Sequence, residues 1–600
     1  MNAAPRSVYQ ELVAGYQFKH QQTARKLRWI AVFRLTIFLL MVASVIYLWD
    51  FGAPVVAPVA IALFAFFLYL VKVFILKEKE KQFYQNLIRI NEEELKALDG
   101  DFSSFADGSE FIDIHHPFSF DLDLFGPRSF FQFLNRASTR RGQKRLASML
   151  ANHEPNPEKI RQKQEAVQEL AEELNWRQHF AAKGKTDSDQ RDFDLISQWS
   201  SASFQLKNER AVRLAIAIFP VLTFIVILLN IFSVVPWGMV LLFILSQWGI
   251  YGFSAKTIQR FHQQFGSRSE ILSKYIEMLH DIEKQDFQSA QLRQLKQELY
   301  FHDQSASQIN NRLIKLIAQL DYGRNMVLTL IFNSVFLWDL RCIYRLSKWH
   351  RQYHGLLDRW FGVIAELDAL SCFGNYNFNH AGGALPVPEN SDFIFDAEQL
   401  GHPLISGTKR VDNDFLLKGE GKLTIITGAN MAGKSTFLRT VGINLVLAMN
   451  GCKVCATRMN FTPIALYTNM RTTDNLMNDE SYFYAELLRL QQMLERIRNG
   501  EKLFVIIDEM LKGTNSVDKL NGSKELIKQL ISLKAVGIVA THDLKLTELA
   551  NQYPDFIQNQ CFEVQLTNDD LMFDYRLRPG VTQTVNATFL MRKMGIIGQS

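Results

Sequence analysis

Residues 423–436 read Leu-Thr-Ile-Ile-Thr-Gly-Ala-Asn-Met-Ala-Gly-Lys-Ser-Thr, and this stretch decides what the C-terminal part of the chain folds into. Leu423–Thr427 is an apolar, largely β-branched run with the pattern of a buried strand. It leads into Gly428, Ala429, Asn430, Met431, Ala432, Gly433, Lys434, Ser435 and Thr436, which satisfy G-x-x-x-x-G-K-S. A helix is predicted over Phe437–Met449. Strand, glycine loop and helix in that order have a physical purpose. The glycines let backbone N–H groups turn onto phosphate oxygens, and the helix N-terminus adds a favourable dipole. Lys434 is placed to bridge β- and γ-phosphates, and the Ser435 hydroxyl suits Mg²⁺. Residues 428–436 are therefore expected to bind ATP with Mg²⁺.

Two further strand ends fit the same site. Leu503–Ile507 is an apolar strand pattern that delivers Asp508 and Glu509. Asp508 is expected to hold the metal through water, and Glu509 to orient and deprotonate the attacking water. A third run, Ala535–Ala540, ends in Thr541-His542-Asp543. His542 is expected to sense or stabilise the γ-phosphate. From about residue 390 onward, short β-branched runs alternate with helical ones, as in an α/β domain.

Taken together these motifs resemble the ATPase domain of the MutS family. Gly428–Thr436, with its Asn430-Met431 pair, is similar to that family's phosphate loop, and Asp508-Glu509 followed by Gly513-Thr514 resembles its acidic pair. Thr541-His542 matches its Thr-His element, and Tyr575–Gly580 resembles the end of that domain. The run Asp474–Glu486 resembles the family signature, which implies that Ser481 reaches the γ-phosphate of an opposite subunit. A homodimer with two composite ATP sites follows from the resemblance, with Glu509, His542, Lys434 and Ser481 as its catalytic set. Further upstream, Phe130–Leu170 looks like the start of the family's helical core, and residues 253–388 like its lever helices.

The chain also departs from the family. Asp479-Glu480 stand where glycine and a basic residue are usual, and Leu511-Lys512 where Gly-Arg is usual. No adenine-stacking aromatic residue is evident near Arg410, although Asn413 is placed to touch the base. Only 28 residues precede the first apolar run, too few for the family's mismatch-reading and connector domains.

Two regions are apolar enough to leave water. Trp29–Leu76 is broken at Trp49–Pro54, and Leu214–Tyr251 is broken near Ser233–Pro236. A spanning helix needs about 20 mainly apolar residues, so each region reads as two spans joined by a short turn. Basic residues flank both: Lys19, Arg25, Lys26 and Arg28 before the first, Lys77, Lys79 and Lys81 after it, Lys207, Arg210 and Arg213 before the second, Lys256 and Arg260 after it. Positive flanks stay cytoplasmic. The expectation is a multi-pass protein of the inner (cytoplasmic) membrane, in contact with lipids and with its ATPase domain in the cytoplasm. A third apolar run, Met326–Trp338, contains Asn333 and is too short to span; it reads as a buried helix.

Composition sets outer bounds. The chain has 600 residues, 48% of them hydrophobic and 21% charged, a folded composition with room for several domains. A net charge of +5 permits contact with nucleic acid or anionic lipid without arguing for either. Five cysteines are too few and scattered for a disulfide framework, and Cys452-x-x-Cys455 reads as two small apolar residues in a buried strand.

The predicted architecture is an α/β P-loop ATPase domain joined to an all-α core and lever region with two transmembrane helical hairpins. Its segments are a cytosolic start at 1–28, a hairpin at 29–76, the first part of the core at 77–210, a second hairpin at 211–252, core and levers at 253–388, and the ATPase domain at 389–600. Three functions compete: a membrane-anchored MutS-like ATPase that clamps double-stranded DNA, for which Arg140–Arg145 offers a basic stretch; a membrane ATPase acting on a protein or lipid partner; and an ABC-type transporter. Four spans in two separated hairpins make a poor translocation path, and no Leu-Ser-Gly-Gly lies in the signature region.

Overall fold

A computed structural model of the chain describes residues 4–185, 208–265, 269–322, 326–390, 392–429, 431–471, 482–567 and 570–583. The chain divides into two compact units, one formed by residues 1–137, 143–177 and 369–600, the other by 138–142 and 178–368.

In chain order the strands are β1 (Tyr300–Phe301), β2 (Gln304–Ser305), β3 (Val387–Pro388), β4 (Ile394–Leu400), β5 (Asn413–Lys418), β6 (Leu423–Gly428), β7 (Arg458–Phe461), β8 (Ala465–Asn469), β9 (Leu503–Asp508), β10 (Val536–Thr541), β11 (Ile557–Thr567) and β12 (Asp570–Pro579). The helices are α1 (Pro5–Tyr47), α2 (Ala53–Leu98), α3 (Phe130–Leu134), α4 (Arg140–Ala151), α5 (Pro157–Glu172), α6 (Leu174–Gly184), α7 (Glu209–Ile231), α8 (Trp237–Phe265), α9 (Ser269–Lys284), α10 (Ala290–Gln297), α11 (Ala306–Asp321), α12 (Met326–Phe336), α13 (Trp338–Tyr353), α14 (Leu356–Asn379), α15 (Lys434–Met449), α16 (Tyr482–Arg498), α17 (Ser516–Ser532) and α18 (Leu549–Gln552).

The first unit is organised by a sheet of order β12-β11-β6-β10-β9-β8, parallel from β11 to β8 with β12 antiparallel at the edge. Its central strands are buried along their length, which is why they read as continuous apolar runs rather than alternating ones. Alternate side chains still serve opposite faces. Leu423, Ile425, Val505, Ile507 and Val539 meet Leu490 and Met493 of α16 and Ile527 and Leu530 of α17. On the other face Phe504 stacks on Phe393 and Phe395, with ring centroids 5.6 and 5.9 Å apart. Those rings bring in a second sheet, β3-β7-β4-β5.

Residues 99–129 form a strap on the edge of the main sheet. Pro117 O accepts from the Thr468 N–H of β8 at 2.9 Å. The fully buried Asp121 carboxylate accepts from Thr468 Oγ1 (2.6 Å), Met470 N (3.1 Å), Arg471 N (2.9 Å) and Arg489 Nη2 (3.0 Å). Arg471 also pairs with Asp123, and Arg439 of α15 donates to Asp121 O at 3.1 Å.

Helices α1 and α2 pack side by side across the turn at 48–52. The 46 residues of α2 extend about 69 Å at 1.5 Å per residue, over twice the roughly 30 Å of a bilayer's hydrocarbon core. The helix runs on to Leu98 without a break, because nothing between Leu76 and Leu98 interrupts helical propensity. The far ends of α1 and α2 both reach α14. Tyr9 donates to Asn379 Oδ1 at 2.8 Å, and Glu94 accepts from Asn375 (3.0 Å), Asn379 (3.1 Å) and Arg136 (2.5 Å).

The second unit contains the second hairpin, α7 and α8, bridged by Gln247 Nε2 donating to Thr223 Oγ1 at 2.6 Å. Both residues are buried, as polar side chains on apolar helices must be when they pair. Asp368 accepts from the N–H and hydroxyl of Ser138 (3.0 and 3.2 Å) and of Thr139 (2.8 and 2.7 Å). Gly142 is required beside it, since a Cβ there would lie 2.2 Å from Asp368 Oδ2.

Three expectations change. Instead of long lever arms, helices α9–α14 run 8–24 residues and pack as a bundle through Leu279, Leu313, Ile317, Ile343 and Leu346, with the small β1–β2 hairpin among them. The apolar run at Met326–Phe336 is a helix, but Leu330 and Ile331 are half exposed; it lies against α7 and α8 and continues their apolar surface. The Cys452–Cys455 segment is a loop with one isolated bridge, Ala384 to Val454, not a strand.

Among the described residues four helices are long and apolar enough, by length and composition, to cross a membrane: Pro5–Tyr47, Pro54–Leu98, Glu209–Ile231 and Trp237–His262. At most 17% of the most apolar window of any of them is buried within the chain.

Candidate nucleotide site

The register of the sheet brings the three expected strand tips together. Thr427 of β6 pairs with Thr541 of β10, and Ala540 of β10 pairs with Asp508 of β9. Ligands of parallel sheets sit outside such carboxyl ends.

At the end of β6 the backbone turns sharply. Gly428 has φ 152°, and a Cβ there would press within 2.8 Å of Phe562 O. Gly433, at φ 108°, is left-handed immediately before α15. The helix starts at Lys434, three residues earlier than the sequence suggested, because the glycine bend already frees the following N–H groups to start a turn. Ala429 follows the strand, Ala432 is buried, and Met431 and Thr436 are exposed. Asn430 lies outside the described residues.

Lys434 is buried, and its Nζ donates to Gly428 O (2.7 Å) and Ala429 O (2.9 Å). An ammonium has three donors, so the loop orients Lys434 and leaves one N–H for a phosphate oxygen. Burial draws its pKa down to about 8, against the attraction of Asp508 and Glu509.

Ser435 Oγ donates to Asp508 Oδ2 at 2.5 Å. A hydroxyl and a carboxylate converging in this way fit Mg²⁺, which takes one or two protein oxygens and completes its octahedron with phosphate and water. Among the described residues no group of three or more His, Cys, Asp or Glu could hold a metal ion.

Glu509 stands just past the end of β9 with φ 61°, its N–H bonded to Ala540 O at 2.9 Å. Burial pushes the Glu509 pKa up, but the Lys519 ammonium outweighs this and holds the carboxyl below the usual range. Burial and, after it, Lys434 hold the His542 pKa below its ordinary value, which favours the neutral imidazole.

Behind Glu509, Leu511 has φ 57°, a conformation glycine takes without penalty and leucine does not. The buried Glu486 carboxylate holds this bend by accepting from Leu511 N (2.6 Å) and Lys512 N (3.0 Å). Gly513 lets α16 close over it, since a Cβ there would lie 2.8 Å from the Cβ of Phe483.

Asn413 is placed differently from a base contact. Its Nδ2 donates to Tyr575 O at 3.1 Å and its Oδ1 accepts from Leu577 N at 2.7 Å, which ties β5 to β12. The tie sets Tyr575, at φ 53°, with its ring against Gly433 and partly exposed. An aromatic face thus lies at the loop after all, delivered from the far end of the domain by the returning strand β12. Ser481 lies outside the described residues.

Residues 424–592 match the family model of MutS domain V. The matched stretch carries β6, the glycine loop, Asp508, Glu509 and His542. Over 307 residues, 49% of this chain, the chain is 26% identical to "MutS protein homolog 4" of Mus musculus, covering 30% of that protein. It is 32% identical over 184 residues to "DNA mismatch repair protein MutS" of Thermotoga neapolitana, 30% of this chain and 22% of that protein. "DNA mismatch repair protein MSH4" of Arabidopsis thaliana is 29% identical over 243 residues, 39% of this chain and 30% of that one. These matches support MutS family membership. The chain spans less than a third of the length of each of these relatives.

Proposed function

We propose that this chain is a membrane-anchored MutS-like ATPase that binds and hydrolyses ATP with Mg²⁺ and works as a homodimer on DNA, in repair or recombination. The observation that carries the reading is the convergence of Lys434, the Ser435–Asp508 pair, Glu509 and His542 at the carboxyl ends of three adjacent parallel strands, within a stretch matching MutS domain V. The loop amides and Lys434 bind the triphosphate, and Ser435 and Asp508 would hold Mg²⁺, which would supply positive charge against the phosphates. Glu509 takes a proton from water as its oxygen bonds to the γ-phosphorus. The bond to the β–γ bridging oxygen breaks, and its electron pair leaves on ADP as inorganic phosphate forms. Neutral His542 can donate a hydrogen bond to the γ-phosphate. Tyr575 offers a face for the adenine.

The four exposed apolar helices and their basic flanks support a multi-pass anchor in the cytoplasmic membrane with the ATPase domain on the cytoplasmic side. Support for DNA comes from the relatives, two of which are named as DNA mismatch repair proteins. The basic stretch at Arg140–Arg145 adds little, since Arg141 is committed to Asp358 at 2.8 Å. That engagement favours the second reading, an ATPase that moves a protein or lipid partner.

Duplex DNA separates the two. A DNA-acting ATPase gains turnover when duplex is added to the detergent-purified protein, and its DNA affinity falls steeply with salt, with a log–log slope of about −0.9 per phosphate neutralised. Equal turnover with and without DNA removes the DNA reading. In a shared dimer site Ser481→Ala lowers hydrolysis but not ATP binding.

A further inference from the structure

The structure places a lysine on the very carboxylate that the hydrolysis needs. Lys519 Nζ lies 2.5 Å from Glu509 Oε1, and both side chains are about three-quarters buried, at 25% and 28% exposure. This is not a loose surface pair. Lys519 sits in the first turn of α17, whose start is locked: Asn515 Oδ1 accepts from Asp518 N at 2.9 Å, and Asn515 O accepts from Lys519 N at 2.9 Å. Glu509 is equally fixed, by its N–H on Ala540 O and by the bend that Glu486 holds. Two anchored groups thus face each other across the loop 510–515.

A general base must present a lone pair to the water it deprotonates. An ammonium within hydrogen-bond distance occupies one carboxylate oxygen and directs it toward α17, with a charge-assisted bond stronger than a neutral one. The geometry points to Lys519 as a latch on the base: it restrains Glu509, and each turnover must first loosen the contact. Lys519 is a positioning residue here, acting through Glu509, and the inference rests on the assignment of Glu509 as general base in the proposed hydrolysis. No sequence pattern marks the pair, which is ten positions apart and meets only because the intervening loop doubles back.

The test is steady-state ATP hydrolysis by the full-length, detergent-purified protein and its Lys519→Met, Lys519→Gln and Lys519→Arg variants, with ATP–Mg²⁺ affinity measured alongside. If Lys519 is a latch, Lys519→Met and Lys519→Gln raise kcat by about threefold to tenfold, the range for a partly buried ion pair, with KM and ATP affinity unchanged. Lys519→Arg retains the charge and keeps the parent's rate. A merely structural salt bridge would give variants no faster than the parent. Parent hydrolysis with Lys519→Met and Lys519→Gln at or below the parent's kcat, or with KM moving as much as kcat, overturns the latch and leaves the proposed function standing. No hydrolysis by any of the proteins overturns both.

Discussion

Glu509→Gln is expected to lower ATP turnover by about 100- to 10,000-fold, the usual contribution of a positioned general base, and to leave ATP binding intact. Glutamine keeps the shape of the side chain and the backbone bond to Ala540, so the tip of β9 should hold its position. It cannot accept a proton from water. The phosphate cradle at Gly428–Ser435 lies on a different strand tip and is untouched. The check is a paired measurement on the same preparation: nucleotide affinity by equilibrium binding, and phosphate release under single-turnover conditions. Tight ATP binding with release slowed at least a hundredfold is the expected result, and a variant that turns over within tenfold of the parent would remove Glu509 from the base role.

Asp121→Ala is the second large effect, and it concerns stability. The carboxylate is fully buried and accepts from two backbone N–H groups, one hydroxyl and the Arg489 guanidinium, itself only 13% exposed. Alanine removes all four acceptor contacts and leaves the largely buried Arg489 guanidinium without its carboxylate, held by the carbonyl oxygens of Ile114, His116, Pro117 and Thr468. Breaking a buried pair from one side costs roughly 3–5 kcal/mol. At roughly 2–4 °C per kcal/mol for a domain of this size, thermal unfolding of the ATPase part drops by roughly 6–20 °C. Asp121→Asn retains an acceptor oxygen and loses less. Equal melting temperatures for parent and Asp121→Ala would mean that the strap is not bonded to the sheet as described.

The nucleotide loop was legible because its chemistry is local. Gly428 and Gly433 sit where the backbone must take positive φ, Lys434 and Ser435 follow directly, and a buried strand and a helix flank them. Asp508 and Glu509 were legible for a similar reason, as acids at the end of an apolar run. What the sequence hid depends on contacts between distant segments. Asp121 looked like an ordinary loop acid until it met Thr468, 347 positions away. Tyr575 reaches Gly433 only because β12 returns antiparallel beside β11, and the amide of Asn413 is spent fixing that return. Leu511 stands where the resemblance led one to expect glycine, and its left-handed φ shows why glycine suits that position. Where helices end in residues 253–388 was hidden as well: α12 and α13 are separated by a left-handed Leu337, which carries no breaker signal.

The most direct measurement is ATP hydrolysis by the intact purified chain in the presence of Mg²⁺, compared with Lys434→Ala. The account predicts Mg²⁺-dependent release of phosphate by the parent and neither ATP binding nor turnover by the variant. A parent chain that ignores ATP–Mg²⁺, or a Lys434→Ala variant that hydrolyses it as fast as the parent, would contradict it.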